Sequence, residues 1–484
     1  MTHFCPHYPA PSAGRPSIWR MFFTKRRSWL EALYARSYVM KMGEVHLPGV
    51  DLYMVNEPSL VRHVMVDAAL TQFPKHPMLG EALRPLLGDS IFTTNGAAWQ
   101  RQRTLMDPSF EAARVKVVYG RMREAALAMA ERLARVPEGA VHDVEVEMTH
   151  VAADIILRTI LSQPLDGETA QRIFAAFARY QTIAPRLLMP TFFGLGWLRP
   201  WWLAGQARDA AREIRALLAT LIAPRHAAAA TGDTGGDDLL GSLLRTRDPQ
   251  TGAGFGFEEL VDQVAMLFLA GHETSASALS WSLHLLANSP EVQERLADEA
   301  RTRLDLSSDD PSGIRDLALA RNVFRETLRL FPPVGFLARQ CTRAQQMRGK
   351  RVAAGASVVV SPWLIQRHRQ LWARPDEFDP DRYGAEGSGE DPGDAEGERG
   401  RMGDVPPARE SLRRAYLPFG MGPRVCIGAA FAQQEAALVL AVLARQFRFA
   451  PAPGPAPEPI GRLTIRAAAG IRLRVFRRKQ GGAG

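Results

Sequence analysis

The run FGMGPRVCIG, Phe419 to Gly428, places Cys426, one of three cysteines, directly before AAFAQQEAALVLAVLARQF, a segment with the apolar spacing of a helix. At such a junction unpaired N–H groups and the positive dipole end favour a thiolate. A thiolate serves as a nucleophile or a metal ligand, whereas a lone cysteine is also an ordinary packing residue. Gly420, Gly422 and Gly428, which permit turns and close backbone approach, and Arg424 two residues ahead of the sulfur favour the reactive reading. Three other groups carry chemistry at suggestive spacings. Glu326 and Arg329 in RETLRL share one helix face. At a surface such a pair contributes under about 1 kcal/mol; in a buried network, losing one partner costs about 3–5 kcal/mol. AGHETS puts Ala270, Gly271, Glu273 and Thr274 in the middle of an apolar helical segment, where glycine and polar residues are locally unfavourable. They are either a packing glycine with a back-bonded threonine or the wall of a site. Trp99 and Arg103 in WQRQR stand one helical turn apart.

The pattern FxxGxRxCxG, met by Phe419, Gly422, Arg424, Cys426 and Gly428, resembles the haem-binding loop of the cytochrome P-450 superfamily, the haem-thiolate monooxygenases. The ExxR pair, the AGHETS segment and the WxxxR pair occur in the family's order, and together the resemblance spans about residues 40 to 475. It implies a mainly α fold with small β-sheets, a triangular prism with a long central helix over the haem. Cys426 would be the axial ligand of the iron in haem (heme b, iron protoporphyrin IX), pushing electron density that favours O–O cleavage. Phe419, Gly428, Ala270 and Gly271 would border the cofactor, and Trp99, Arg103, Arg339 and Arg424 would hold its propionates through charge-assisted bonds. Glu326 and Arg329, with Arg382 of the Pro380–Tyr383 segment, would tie the core together. Glu273 would be the acid and Thr274 the alcohol of a proton relay, and substrate would meet residues 76–95, Phe268, Ala270, Val334, Phe336 and a turn at 460–463. Two departures stand out: Met421 occupies a place where relatives often have glycine, and Tyr383 replaces the phenylalanine of the PxRF-like segment.

The elements that must position these residues follow from hydrophobic patterning. Residues 98–106, 121–136, 145–162 and 206–228 carry helical spacing, 257–288 is the longest helical candidate, and 317–330 runs as a helix into Pro332 and Pro333. GVDLYMV and VAAGASVVVSP read as strands. No linker divides the 484 residues, so 18–478 is expected as one domain between a disordered tail at 1–17 and a short tail at 479–484, with an acidic, glycine-rich loop at 384–404. PTFFGLGWLRPWW is either a greasy channel lid or core packing. Three scattered cysteines exclude a disulfide framework, and no CxxC provides for zinc.

The reaction so implied inserts one oxygen atom of O2 into a hydrophobic small molecule, by hydroxylation or epoxidation. Its two electrons would come ultimately from NAD(P)H through a ferredoxin or flavodoxin-type donor and its reductase. Sixty basic against fifty-one acidic residues, a net +9, suit an acidic donor, with Arg101, Arg114, Lys116, Arg413 and Arg414 as docking cations. No nucleic-acid motif is present. No apolar run reaches the length of a bilayer span, so the reading is a cytoplasmic monomer whose aromatic and basic segment near residues 18–40 allows weak membrane association. The alternative is a haem-thiolate ligand-binding or sensor protein without turnover, against which the acid and alcohol pair argues. A peroxide-driven peroxygenase usually lacks that pair, and a cysteine hydrolase would need a histidine beside Cys426.

Overall fold

A computed structural model describes residues 3–14, 28–47, 49–110, 118–165, 167–192, 201–232, 236–384 and 408–479. The principal helices are α1 (Pro77–Leu87), α2 (Gly96–Met106), α3 (Tyr119–Ala134), α4 (Val144–Leu161), α5 (Glu168–Phe192), α6 (Trp201–Ala230), α7 (Phe257–Ala287), α8 (Pro290–Arg303), α9 (Ala318–Leu330) and α10 (Ala429–Gln446). The strands are β1 (Met42–Leu47), β2 (Val50–Val55), β3 (Val141–Asp143), β4 (Leu337–Gln340), β5 (Gln345–Met347), β6 (Lys350–Val352), β7 (Ser357–Val360), β8 (Phe447–Pro451), β9 (Pro459–Gly461), β10 (Ile465–Ala467) and β11 (Arg472–Arg477). The chain is therefore mainly α with small sheets.

Helix α7 is the axis on which the rest is hung. It starts where the Glu259 carboxylate accepts the Gly256 N–H at 2.9 Å and stops at Asn288, two residues before Pro290. Most of its side chains are buried, as an almost uniformly apolar helix requires. Helix α4 packs along it, and Gly271 makes the approach possible, because a Cβ there would lie 2.8 Å from Ile156 Cδ1. Its N-terminal half belongs to a core shared with α1, α4, α5 and α6, and its C-terminal half to a second core shared with α3, α8, α9 and α10. The AGHETS residues lie at the seam between the two.

Beside the helices, β1, β2, β7 and β4 form one sheet in that order, with β2 and β7 parallel and the outer pairs antiparallel. Strands β3, β11 and β8 make a second sheet, and β9 pairs with β10 as a C-terminal hairpin. The N-terminal reading needs correction over its described part. The Phe4 carbonyl accepts the Phe378 N–H at 2.9 Å, Tyr8 donates to Asp376 at 2.9 Å, and Ser12 O accepts the Ala35 N–H at 3.0 Å. Aromatic anchors at positions 4 and 8 seat a polar, proline-rich run that composition alone marks as a tail. Residues 15–27, the acidic 385–407 stretch, residues 193–200 of the aromatic cluster, Arg114, Lys116 and the end of the 479–484 tail lie outside the described residues.

Candidate active site

The cysteine loop is shaped by one glycine above all. Gly422 has φ +73°, and a Cβ on it would sit 2.1 Å from the Met65 carbonyl oxygen, so only glycine lets the loop lie on that backbone. Bonds from Val425 N–H to Gly422 O and from Cys426 N–H to Phe419 O, both 2.9 Å, close the turn just before α10. The Cys426 thiol opens onto a cavity of ≈ 390 Å³, inside the range of small-molecule sites. The sequence suggested a depressed thiol pKa. Instead, desolvation by the surrounding protein raises it, outweighing the Gly428 N–H and the Arg103 charge that pull it down. A helix start is too weak to ionise a sulfur desolvated at the wall of a cavity; a bound cation would do so.

The same cavity is lined from α7 by Ala270, Gly271, Glu273 and Thr274, and from the segment entering β4 by Val334 and Phe336. Both readings of AGHETS hold at once: Gly271 packs on Ile156 and Thr274 back-bonds to the Ala270 carbonyl at 2.6 Å, while both also face the cavity. Glu273 and Thr274 are not joined. The acid's Oε1 accepts the Thr464 hydroxyl at 2.6 Å and its Oε2 accepts the Gln181 amide at 3.2 Å. Burial raises its pKa, opposed by Thr464, Arg466 and Gln181. A second cavity carboxyl, Glu435 on α10, is pushed up to about 8 by burial and accepts a 2.8 Å bond from Ser275. Phe268 corrects the substrate-contact expectation. It points to the other side of α7, its ring tilted 4.4 Å from the Phe177 ring and 4.8 Å from His272, because positions 268 and 272 share the face away from 270 and 274.

One part of the wall is positively charged without a counter-charge. Arg339, on β4, is buried with an unpartnered Nε, and burial pulls its pKa down to about 10. Arg424 lies 4.3 Å over the Trp99 ring, bonds Asn95 at 2.7 Å, and also keeps an unpartnered Nε. Lys75 completes the group: Nζ donates to Phe92 O at 2.6 Å, and burial, then repulsion from Arg339 and Arg424, hold its pKa well below the usual lysine value. Among the described residues these three cations make no ion pair. Arg103, expected with them, divides its donors between Asp107 at 2.5 Å and the Val425 carbonyl at 2.8 Å, on the cysteine loop. Behind the cavity, the fully buried Glu326 accepts five bonds, two from Arg329 and one each from Arg382 Nε, the Tyr383 hydroxyl and the Asp379 N–H.

Sequence reasoning missed Lys75, Gln181, Thr464 and Glu435. Lys75 carried no signal beyond its prolines, and the other three gain meaning only from neighbours far along the chain. Arg101, read as a docking cation, is held by Glu259 at 2.7 Å, and Arg413 and Arg414 also have partners.

The cytochrome P450 family model matches residues 9–471, and the chain belongs to that family. It is similar to cyclooctatin synthase of Streptomyces melanosporofaciens, 32% identical over 428 residues covering 88% of this chain and 86% of the relative. It also resembles pentalenene oxygenase of Streptomyces avermitilis, 29% identical over 90% of each chain. Among solved structures, the heme domain of cytochrome P450DA superposes with TM-score 0.80 at 23% identity, covering 98% of this chain and 99% of that one, which establishes the likeness of fold. The protein is a cytochrome P450 monooxygenase, a haem enzyme that draws on dioxygen and a redox partner.

Proposed function

We propose that this enzyme oxygenates a compact apolar molecule in the ≈ 390 Å³ cavity, with Cys426 as the iron ligand and Lys75, Arg339 and Arg424 as the propionate clamp. The observation that carries the reading is a trio of cations lacking any carboxylate, Arg339 buried and Lys75 and Arg424 half-buried, the two arginines with orphaned Nε atoms, at the wall of the cavity that Cys426 also lines. Buried charge without a counter-charge is costly, and an anion with two carboxylates relieves it. Gly428 fits the same group: a Cβ there would meet no atom within 4 Å, so its bare face opens onto the space a flat ring would occupy. When bound, haem supplies the activation of dioxygen that no side chain can perform. The protein's part is to hold Cys426 ionised by metal coordination, to direct the Gly428 N–H at the sulfur, and to exclude water from an apolar wall. Glu273 and Thr274 supply protons to the cavity, worth about a hundred- to ten-thousand-fold when positioned.

Leu83, Leu87, Ile91, Val334, Phe336 and Leu463 make the substrate wall apolar. A hydrocarbon such as pentalenene, the compound in one relative's name, matches that chemistry. Electrons would come from NAD(P)H through an acidic ferredoxin or flavodoxin drawn by the +9 net charge to the cysteine-loop side of a cytoplasmic monomer. Among the described residues no helix is long and apolar enough to cross a membrane. The test of the clamp is haem transfer to an acceptor apoprotein. Arg339→Gln with Arg424→Gln should release haem at least tenfold faster than the parent, and unchanged retention would remove the clamp from the account.

A further inference from the structure

The acid of the AGHETS segment is engaged by groups that the motif does not contain. Gln181, on α5, offers one amide nitrogen to both Glu273 Oε2, at 3.2 Å, and His272 Nε2, at 3.1 Å. His272 Nδ1 lies 2.8 Å from the Phe268 carbonyl, which can only accept, so the ring proton sits on Nδ1 and Nε2 is the acceptor. Burial, which lowers the pKa of this histidine to about 4, keeps the ring neutral. The Gln181 nitrogen is therefore the donor in both contacts, and Glu273 Oε2 faces a group that can only donate. A proton carried by Glu273 must then reside on Oε1, 2.6 Å from the Thr464 hydroxyl. A hydroxyl both donates and accepts, so Thr464 can serve either state of the acid: it donates to the carboxylate and accepts from the carboxylic acid. Thr274 is turned to the Ala270 carbonyl instead.

We propose that Thr464, in the turn between β9 and β10, is the positioning residue that fixes the Glu273 proton on Oε1 and is the first hydroxyl with which that proton exchanges. The inference rests on the reading of Glu273 as the relay acid. Its balance is simple: Oε1 gives its proton to a lone pair of Thr464 Oγ1, Thr464 gives its own hydroxyl proton to a water molecule in the cavity it lines, and Glu273 is left as carboxylate. Leu463, its neighbour, also lines the cavity, so the apolar substrate wall and the proton donor share one turn. The charged and polar groups facing Glu273 are Gln181 from α5, His272 on α7 itself, Glu145 from α4, and Thr464 and Arg466 from the hairpin, with Arg466 bound to Glu145 at 2.7 Å.

The test uses haem-loaded protein and two readouts. The first is the infrared titration of the Glu273 carboxyl, identified as the band lost in Glu273→Gln. Removing a hydrogen bond to the ionised form should move the midpoint of Thr464→Val upward by about one pH unit or more, with Thr464→Ser close to the parent. The second is the share of NADH electrons recovered as peroxide, with a surrogate ferredoxin and reductase and with pentalenene as probe once its binding shift is recorded. Thr464→Val should raise that share severalfold and Thr464→Ser should restore it. Where Thr464→Val fails to retain haem, Gln181→Leu serves, because freeing Oε2 should broaden the carboxyl band as the proton spreads over both oxygens. An unmoved midpoint in Thr464→Val, an unchanged band in Gln181→Leu, or unchanged peroxide while Glu273→Gln uncouples, overturns the assignment of Thr464 alone. Normal coupling in Glu273→Gln overturns the relay reading beneath it as well.

Discussion

Glu326→Gln is the sharpest perturbation of the scaffold. In the parent, Glu326 Oε1 accepts from Arg329 at 2.8 Å, Arg382 at 2.9 Å and the Asp379 N–H at 3.1 Å, and Oε2 from Arg329 and Tyr383 at 2.9 Å each. Arg329 spends its remaining donors on the Gln366, Pro375 and Glu377 carbonyls, so all five are used. Neutralising the carboxylate leaves two guanidinium groups facing each other without a counter-charge. The expected cost is about 3–5 kcal/mol, several times what an exposed pair would lose. At about 2 °C per kcal/mol for a long chain, the melting temperature should fall by roughly 6–10 °C. Burial opposes ionisation of Glu326, but Arg329 and Arg382 overcome it and its pKa lies below the usual value of 4.5. A depressed carboxyl contributes stability that is present above the unfolded pKa and lost as pH falls through the folded one. The gap between parent and variant should therefore be full at pH 6 and shrink below pH 4.5. Calorimetry across pH 3.5–7 measures both quantities. A loss under about 1 kcal/mol, or a gap that does not close in acid, would refute the buried-network argument.

Other substitutions test separate parts of the site. Gly422→Ala should abolish haem incorporation, measured as haem per polypeptide, because its Cβ meets the Met65 carbonyl at 2.1 Å in a left-handed backbone. Phe268→Ala should destabilise the fold by about 3–5 kcal/mol in a denaturant titration while leaving the affinity for apolar probes unchanged, since its ring packs on Phe177. Phe336→Ala should instead change which probes bind. Glu435, at about 8, keeps its proton in the folded state over a range where the unfolded chain has lost it, so it subtracts stability as pH rises from 4.5 to 8. Glu435→Gln should gain on the parent over that interval by up to a few kcal/mol in thermal unfolding, and a gap constant with pH would count against the raised value.

The long central helix, the order of the motifs and the buried ExxR pair were legible because each rests on local spacing: periodicity for α7, a proline stop for α9, a glycine loop before α10. What could not be read rests on contacts across the chain. Both neighbours of Phe268, Leu267 and Leu269, line the cavity, but which face of a helix meets a cavity depends on where α5 packs. The Glu273 partners come from positions 181 and 464, and no pattern within the motif foretells them. The thiol's direction of shift was misjudged because the helix start is visible in sequence and desolvation is not. Residues 3–14 illustrate the same limit in reverse, since two aromatic side chains anchor a run whose composition is that of a tail.

The central claim, that the Cys426 sulfur ligates haem iron, is tested most directly by the absorption spectrum of the reduced protein under carbon monoxide, parent beside Cys426→His. The account predicts a thiolate-type, strongly red-shifted Soret band in the parent and its replacement by a histidine-type band in the variant. A thiolate-type band that survives in Cys426→His would contradict it.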